Sequence, residues 1–361
     1  MSLLLEMTRR MPTELWCDGC EPRSLARSLE RGATGATSNP VIVMQAIEAD
    51  RPRWHELTRA LVREHPSEDE EQIAWRLVSR VTREGAAQLQ PIFERSSGVR
   101  GWISVQASPR AYRSARRMIE QASELAAIAP NVAVKLPTCA AGLVAMEELT
   151  ARGVAVNATV SFSVPQAIAA AEAIERGLAR REARAGGGEP AAWVTIMAGR
   201  IDDHLRELVK QRALPIALDD VRHASTAIVR RAYRAFRARG YRAKLLVAAM
   251  RSHHHWSEFL GGELVVTIPP EWQERFDASG VELRPRIDDE VDPRIVAELA
   301  KALPDFERAY EEAGMSAAEF ESFGASTKTL RQFLGALDRL VHHVRDAMLS
   351  SPTAVLQESA A

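Results

Sequence analysis

Eight short segments rich in β-branched or apolar residues recur along the chain, and stretches of helical period separate them. They read as strands at 13–18 (TELWCD), 33–38 (ATGATS), 100–106 (RGWISVQ), 131–136 (NVAVKL), 154–160 (VAVNATV), 192–197 (AWVTIM), 244–250 (KLLVAAM) and 263–268 (ELVVTI). Alternation of strand and helix implies right-handed βαβ units and a parallel sheet. Eight strands point to a closed (β/α)₈ TIM barrel, with an open doubly wound sheet as the competing arrangement. At 361 residues the chain can be one such domain with additions. The reading is a single domain over 1–349, with helical additions at 46–95 and 271–347, and a flexible tail at 350–361.

Residues 46–95 are expected to hold two helices, the second opened by a capping box of Ser67 and Glu70. Residues 140–153 read as a helix closed by Gly153, and 219–239 as an extra helix before strand seven. The stretch "RAGGGEP" (184–190) reads as a loop rather than a phosphate-binding turn, because no helix follows it directly.

Strand side chains alternate faces. In the fourth segment Val132, Val134 and Leu136 share one face, which belongs against the outer helices. Ala133 and Lys135 share the other and point into the barrel. The same alternation sends Trp16 and Asp18, then Trp102, Ser104 and Gln106, then Ala155, Asn157 and Thr159, then Trp193, Thr195 and Met197 inward. The strand ends therefore collect Asp18, Gln106, Lys135, Asn157 and Thr159, and barrels carry their chemistry at those ends. A structural lysine buried against an acid such as Asp18 is the competing reading. Five polar residues in register are hard to assign to packing alone.

A buried lysine has a lowered pKa, and its neutral amine can attack a carbonyl and form a Schiff base. The iminium then serves as an electron sink for breaking or making the adjacent C–C bond. Asp18, the one carboxylate of the inward set, suits the proton transfers. Asn157 and Thr159 suit holding the carbinolamine and orienting the amine.

These residues have a family likeness. "GATGATSNPVIV" (32–43) resembles the transaldolase signature G-x-T-S/T-N-P. Residues 131–173 resemble that family's lysine strand, following helix and N-x-T-x-x-F-S strand. "TIMAGRIDDHL" (195–205) resembles its sixth-strand element, and a weaker likeness extends to "EFESFGASTKTLRQFLGAL" (319–337). The resemblance implies a metal-free, cofactor-free class I barrel that transfers a dihydroxyacetone unit between sugar phosphates. It implies that Lys135 is the Schiff-base lysine and Asp18 the acid–base group. Asn157 and Thr159 then position the amine and a catalytic water, Asn39 and Thr195 contact substrate, and Arg200 binds phosphate, as a guanidinium suits.

The departures are specific. Gln106 stands where most transaldolases carry glutamate; it can hold a water but cannot titrate, and the related fructose 6-phosphate aldolases carry glutamine there. Met197 replaces an aromatic. On strand seven an ungapped alignment puts Met250 and Ser252 at the family's serine and arginine. Arg251 is one position away and would need a one-residue shift to reach the phosphate. Two alternatives follow: a Schiff-base aldolase or specialised transaldolase acting on another sugar, and a barrel that binds a sugar phosphate without turning it over.

Other signals are weaker. Three consecutive histidines, His253 to His255, lack the i, i+4 spacing of helical metal ligands. They read either as a substrate or phosphate contact or as a polar loop. "CDGC" (17–20) lacks the second cysteine pair of a zinc ribbon, and Cys139 has no assigned role. Dinucleotide and P-loop glycine patterns are missing. The net charge of −1 gives no basic excess for nucleic acid. No apolar run approaches the roughly 20 residues needed to span a bilayer. The N-terminus lacks the charge-then-apolar order of a signal peptide. Three cysteines fit a reducing cytoplasm. The expected partners are sugar phosphates, with no nucleic acid or membrane; a homo-oligomer is left open, because the surface pattern identifies no interface.

Overall fold

The computed structural model describes residues 2–184 and 188–349. The glycine-rich 185–187 and the expected tail at 350–361 lie outside the described residues. Eight parallel strands close into a barrel in the order β1 to β8. They are β1 (Glu14–Cys17), β2 (Gly35–Thr37), β3 (Trp102–Gln106), β4 (Val132–Pro137), β5 (Val156–Thr159), β6 (Ala192–Met197), β7 (Lys244–Ala248) and β8 (Val265–Ile268). All eight expected strands are present, mostly trimmed at their ends. The closed order excludes the open sheet.

The helices are α1 (Leu3–Arg10), α2 (Pro22–Glu30), α3 (Pro40–Ala49), α4 (Arg51–Glu64), α5 (Glu70–Arg95), α6 (Ala115–Ala126), α7 (Ala140–Ala151) and α8 (Val164–Ala183). They continue with α9 (Ala198–Gln211), α10 (Arg222–Arg239), α11 (His254–Ser257), α12 (Pro270–Asp277), α13 (Pro293–Ala302), α14 (Pro304–Tyr310) and α15 (Gly324–Leu349). The range 46–95 holds two whole helices as expected, α4 and α5, after the end of α3. Asp50 flanks both α3 and α4, so the junction is too short to read as a loop. The capping box is Asp69 with Gln72, not Ser67 with Glu70. Asp69 accepts from Gln72 N at 2.8 Å, and Gln72 Oε1 accepts from Asp69 N at 2.8 Å. Two box patterns overlap two residues apart, and the acid won. Helix α7 ends as expected, with Gly153 left-handed (φ 85°) just past it.

Inside the barrel the N-terminal half is plugged by three tryptophans. Trp16 meets Trp193 edge-on at 5.0 Å between ring centroids, and Trp102 meets Trp193 at 5.7 Å. Edge-to-face packing of this kind is favoured by the ring quadrupoles. Ala133, Ala155, Leu246 and Val265 fill the remaining space. Gly35 is required here, because a Cβ would lie 2.4 Å from the Trp16 ring. The outward faces carry Val132, Val134 and Leu136 into the main core against the helices, as alternation requires. Above the tryptophans sits a polar layer. Thr195 Oγ1 donates to Asn157 Oδ1 at 2.7 Å, and Asn157 Nδ2 donates to Ser104 Oγ at 3.2 Å. The tryptophans close the bottom of the barrel, so its interior opens only at the C-terminal ends of the strands. Helix α15 packs against α3, α4, α5 and α9 beside that opening.

Candidate active site

A cleft of about 600 Å³ opens at the C-terminal ends of the strands. Its lining includes Asp18, Asn39, Lys135, Thr159, Thr195, Met197, Arg200 and Arg251. Lys135 is 5% exposed, and the other four lysines of the chain are all exposed. β4 lies between β3 and β5, with Lys135 opposite Gln106 on one side and Asn157 on the other. No carboxylate lies within 4.0 Å of its amine among the described residues. Burial lowers the Lys135 pKa from 10.5 to about 8, the negative charge of Asp18 opposes that drop, and Arg200 adds to it. Ion pairing would have held the ammonium charged. Desolvation without a close partner keeps a neutral amine within reach of physiological pH.

Burial raises the Asp18 pKa, while the charge of Lys135 and a hydrogen bond from Thr37 oppose the rise. Thr37 Oγ1 donates to Asp18 Oδ1 at 2.6 Å, and Thr267 Oγ1 lies 2.9 Å from Thr37 Oγ1. With Thr37's proton committed to Asp18, Thr267 is the donor of the second bond. Neither threonine was singled out from the sequence. Alternation gives both as inward-facing, Thr37 from Gly35 and Thr267 from Val265, but not the chain of bonds that joins them to Asp18. The pKa values of the amine and the carboxyl are pushed toward each other, which makes proton exchange between them cheap.

The other expected site residues fall as follows. Asn157 and Thr195 form the polar floor already described. Thr159 lines the cleft, and its Oγ1 is buried without a protein partner. Asn39 caps α3, its Oδ1 accepting from Val41 N at 2.9 Å and Ile42 N at 3.1 Å. Its amide NH₂ is what remains for the cleft. Gln106 is buried and does not line the cleft. Its Nε2 lies 3.5 Å from the Lys135 carbonyl oxygen, and its Oε1 has no partner.

Arg200 and Arg251 lie side by side. Gly199 makes this possible, since a Cβ there would sit 1.9 Å from the Ala249 carbonyl oxygen and 2.6 Å from Arg251 Cγ. Arg251 reaches the cleft although simple alternation places it one position away. Ala249, at φ 66°, turns the chain left-handed as it leaves β7, so strand periodicity ends there. Val160, at φ 52°, does the same after β5. Left-handed non-glycine residues of this kind cost about 1–3 kcal/mol each and cluster at functional sites. Ser252, the alternative at that position, is off the cleft lining, and its Oγ is buried without a partner.

None of His253, His254 and His255 lines the cleft. His255 is instead buried, with Nε2 2.8 Å from Asp202 Oδ2 and Nδ1 accepting from Arg251 N at 2.9 Å. Asp202 also accepts from Ser225 N at 3.1 Å and Ser225 Oγ at 3.0 Å. The histidine therefore fixes the backbone that carries Arg251, a role that only the fold reveals. His253 and His254 lie outside the cleft with ring centroids 4.0 Å apart and planes tilted by 37°.

The cysteines are buried and free. Burial raises Cys17 and Cys20 to about 12 and Cys139 to about 11, away from thiolate chemistry. Cys139 caps α7, its Sγ accepting from Gly142 N at 3.3 Å. Among the described residues no group of three or more His, Cys, Asp or Glu is placed to hold a metal ion, and no helix is long and apolar enough to cross a membrane.

Known proteins are similar to this chain in sequence. The Transaldolase/Fructose-6-phosphate aldolase family model matches residues 15–334. A transaldolase of Thiobacillus denitrificans is 28% identical over 345 residues, an alignment covering 87% of this chain and 89% of that protein. A transaldolase of Neisseria gonorrhoeae is 30% identical over 222 residues, covering 58% of this chain and 61% of that one. One of Campylobacter jejuni is 30% identical over 212 residues, covering 55% and 62%. The alignments to these last two relatives span under two thirds of their length. With the family model matched over residues 15–334 and eight strands closed into a barrel, this chain belongs to the transaldolase/fructose-6-phosphate aldolase family.

Proposed function

We propose that the protein is a Schiff-base transaldolase that moves a dihydroxyacetone unit between phosphorylated sugars. The observation that carries the reading is Lys135: the one buried lysine of five, unpaired, lowered to about 8 and open to a cleft it shares with Asp18. Its neutral amine adds to the ketose carbonyl, and a proton from Asp18 helps the carbinolamine lose water. In the iminium, Asp18 takes the proton of the C4 hydroxyl. The C3–C4 electron pair moves toward the iminium nitrogen, leaving an enamine on Lys135 and a free aldehyde. An acceptor aldehyde enters, the enamine attacks it, and Asp18 returns the proton. Water then releases the new ketose and restores the amine. Asn157, held by Ser104 and Thr195, orients the lysine. Arg200 pairs with the phosphate at the far end, and Arg251, whose Nε donates to Asp203 Oδ2 at 2.9 Å, adds its charge beside it. This chemistry asks for no metal or cofactor, and three buried thiols fit a reducing cytoplasm.

Gln106 favours a second reading, a Schiff-base aldolase that releases free dihydroxyacetone. A glutamine beside Lys135 cannot titrate, so proton delivery to the iminium differs from that of a glutamate site. Incubation with fructose 6-phosphate, with and without erythrose 4-phosphate, separates the two. Transfer that depends on the acceptor supports the transaldolase; dihydroxyacetone released without acceptor supports the aldolase. Neither outcome, with no adduct on Lys135, leaves a barrel that binds sugar phosphate without turning it over.

A further inference from the structure

Arg200 lacks the partner a desolvated guanidinium normally has. No carboxylate lies within 4.0 Å of it among the described residues. Burial, and then the charge of a second guanidinium, Arg251, lower it to about 10, against the opposing charges of Asp18 and Asp203. Helix α15 holds it instead. Both bonds fall on Nη1, which donates to Gln332 Oε1 and, at 3.4 Å, to Thr329 Oγ1. Phe333 lies under the guanidinium, 5.4 Å from its carbon to the ring centroid. With Nη1 committed, the Nε–Nη2 edge carries no protein partner, and Nε is buried and unsatisfied. That edge is the side of a guanidinium able to grip an oxyanion with two parallel hydrogen bonds. Gln332 itself lines the cleft.

We propose that Gln332 is a specificity-determining positioning residue: by engaging Nη1, with Thr329, it turns the free Nε–Nη2 edge of Arg200 toward the anionic end of the substrate. The neutrality of Gln332 is essential to this role. A carboxylate in its place would pair with Arg200 and compete with the substrate anion. The inference rests on the reading of Arg200 as the anion contact, and it adds that the terminal helix, some 130 residues away in sequence, sets the affinity.

The test is calorimetric titration of the full chain with inorganic phosphate, for the wild type, Gln332→Ala and Gln332→Glu. Phosphate binding should weaken about tenfold in the alanine variant and further in the glutamate variant. KM for fructose 6-phosphate should rise in parallel while kcat holds within about twofold. Borohydride trapping of dihydroxyacetone, which has no phosphate, should be unchanged; a merely structural role would lower the trapping and the melting temperature as well. Equal phosphate affinity in all three proteins, or tighter binding in Gln332→Ala, overturns the proposal. A wild type that does not bind phosphate also overturns it, while an adduct on Lys135 in that protein would leave the Schiff-base reading standing.

Discussion

Lys135 should form its imine with a pH dependence that no exposed lysine would show. With the amine at about 8, roughly a tenth of it is neutral at pH 7; at the ordinary 10.5 the fraction is about 3 in 10,000, roughly 300-fold less. Dihydroxyacetone is the substrate to use, because it has no phosphate and leaves the anion contacts out of the measurement. The initial rate of borohydride trapping, read by intact mass between pH 6 and 11, should rise to a plateau with a midpoint near 8. Asp18→Asn should move that midpoint down, because the carboxylate is the main influence opposing burial. The size of the move is bounded. The two groups are more than 4.0 Å apart, and at an effective dielectric of about 20 the Coulomb energy at that separation is below about 4 kcal/mol, or below about 3 pH units. A wild-type midpoint near 10.5 would refute the claim that the lysine is desolvated and unpaired. An upward move in Asp18→Asn would refute the role given to the carboxylate.

Three other outcomes follow from the same geometry. Lys135→Met should raise stability at pH 7, by at most roughly 3 kcal/mol, since the drop from 10.5 to about 8 costs 1.36 kcal/mol per pH unit while the native lysine is charged. In the wild type the unfolded chain binds more protons than the folded one between pH 8 and 10.5. Its stability therefore rises with pH across that window, and the advantage of the methionine should shrink there, as urea unfolding at several pH values would record. His255→Ala strips the partner from buried Asp202, which keeps only its Ser225 bonds; a loss of roughly 3 kcal/mol is expected, with weaker phosphate binding because Arg251 loses its backbone anchor. All three thiols should resist iodoacetamide in the native protein at pH 8 and react after unfolding; rapid native labelling of Cys17 or Cys20 would contradict their burial.

The barrel was readable because two periods are readable. Alternation placed Lys135 and Ala133 inside and Val132, Val134 and Leu136 outside, and the tryptophan plug fell on the same inward positions. Where strand geometry stops, the sequence stops informing. Arg251 lay one position off only until Ala249 turned the chain left-handed. His253 to His255 read equally as a substrate contact or a polar loop, because nothing near His255 in sequence announces its bond to Asp202 on another helix. Helix boundaries in the insertion failed for a local reason, two competing caps at Ser67 and Asp69. Gln332 was invisible for a nonlocal one: its meaning comes from a guanidinium on a different element. Long-range polar contacts of this kind leave no pattern in the sequence around either partner.

The amine of Lys135 should bond covalently to a ketose. With only five lysines in the chain, peptide mapping locates the bond without ambiguity. Fructose 6-phosphate and borohydride should leave a reduced three-carbon adduct on the peptide that contains Lys135, and Lys135→Met should abolish it. An adduct confined to any of the four exposed lysines, or turnover retained by Lys135→Met, would contradict the account.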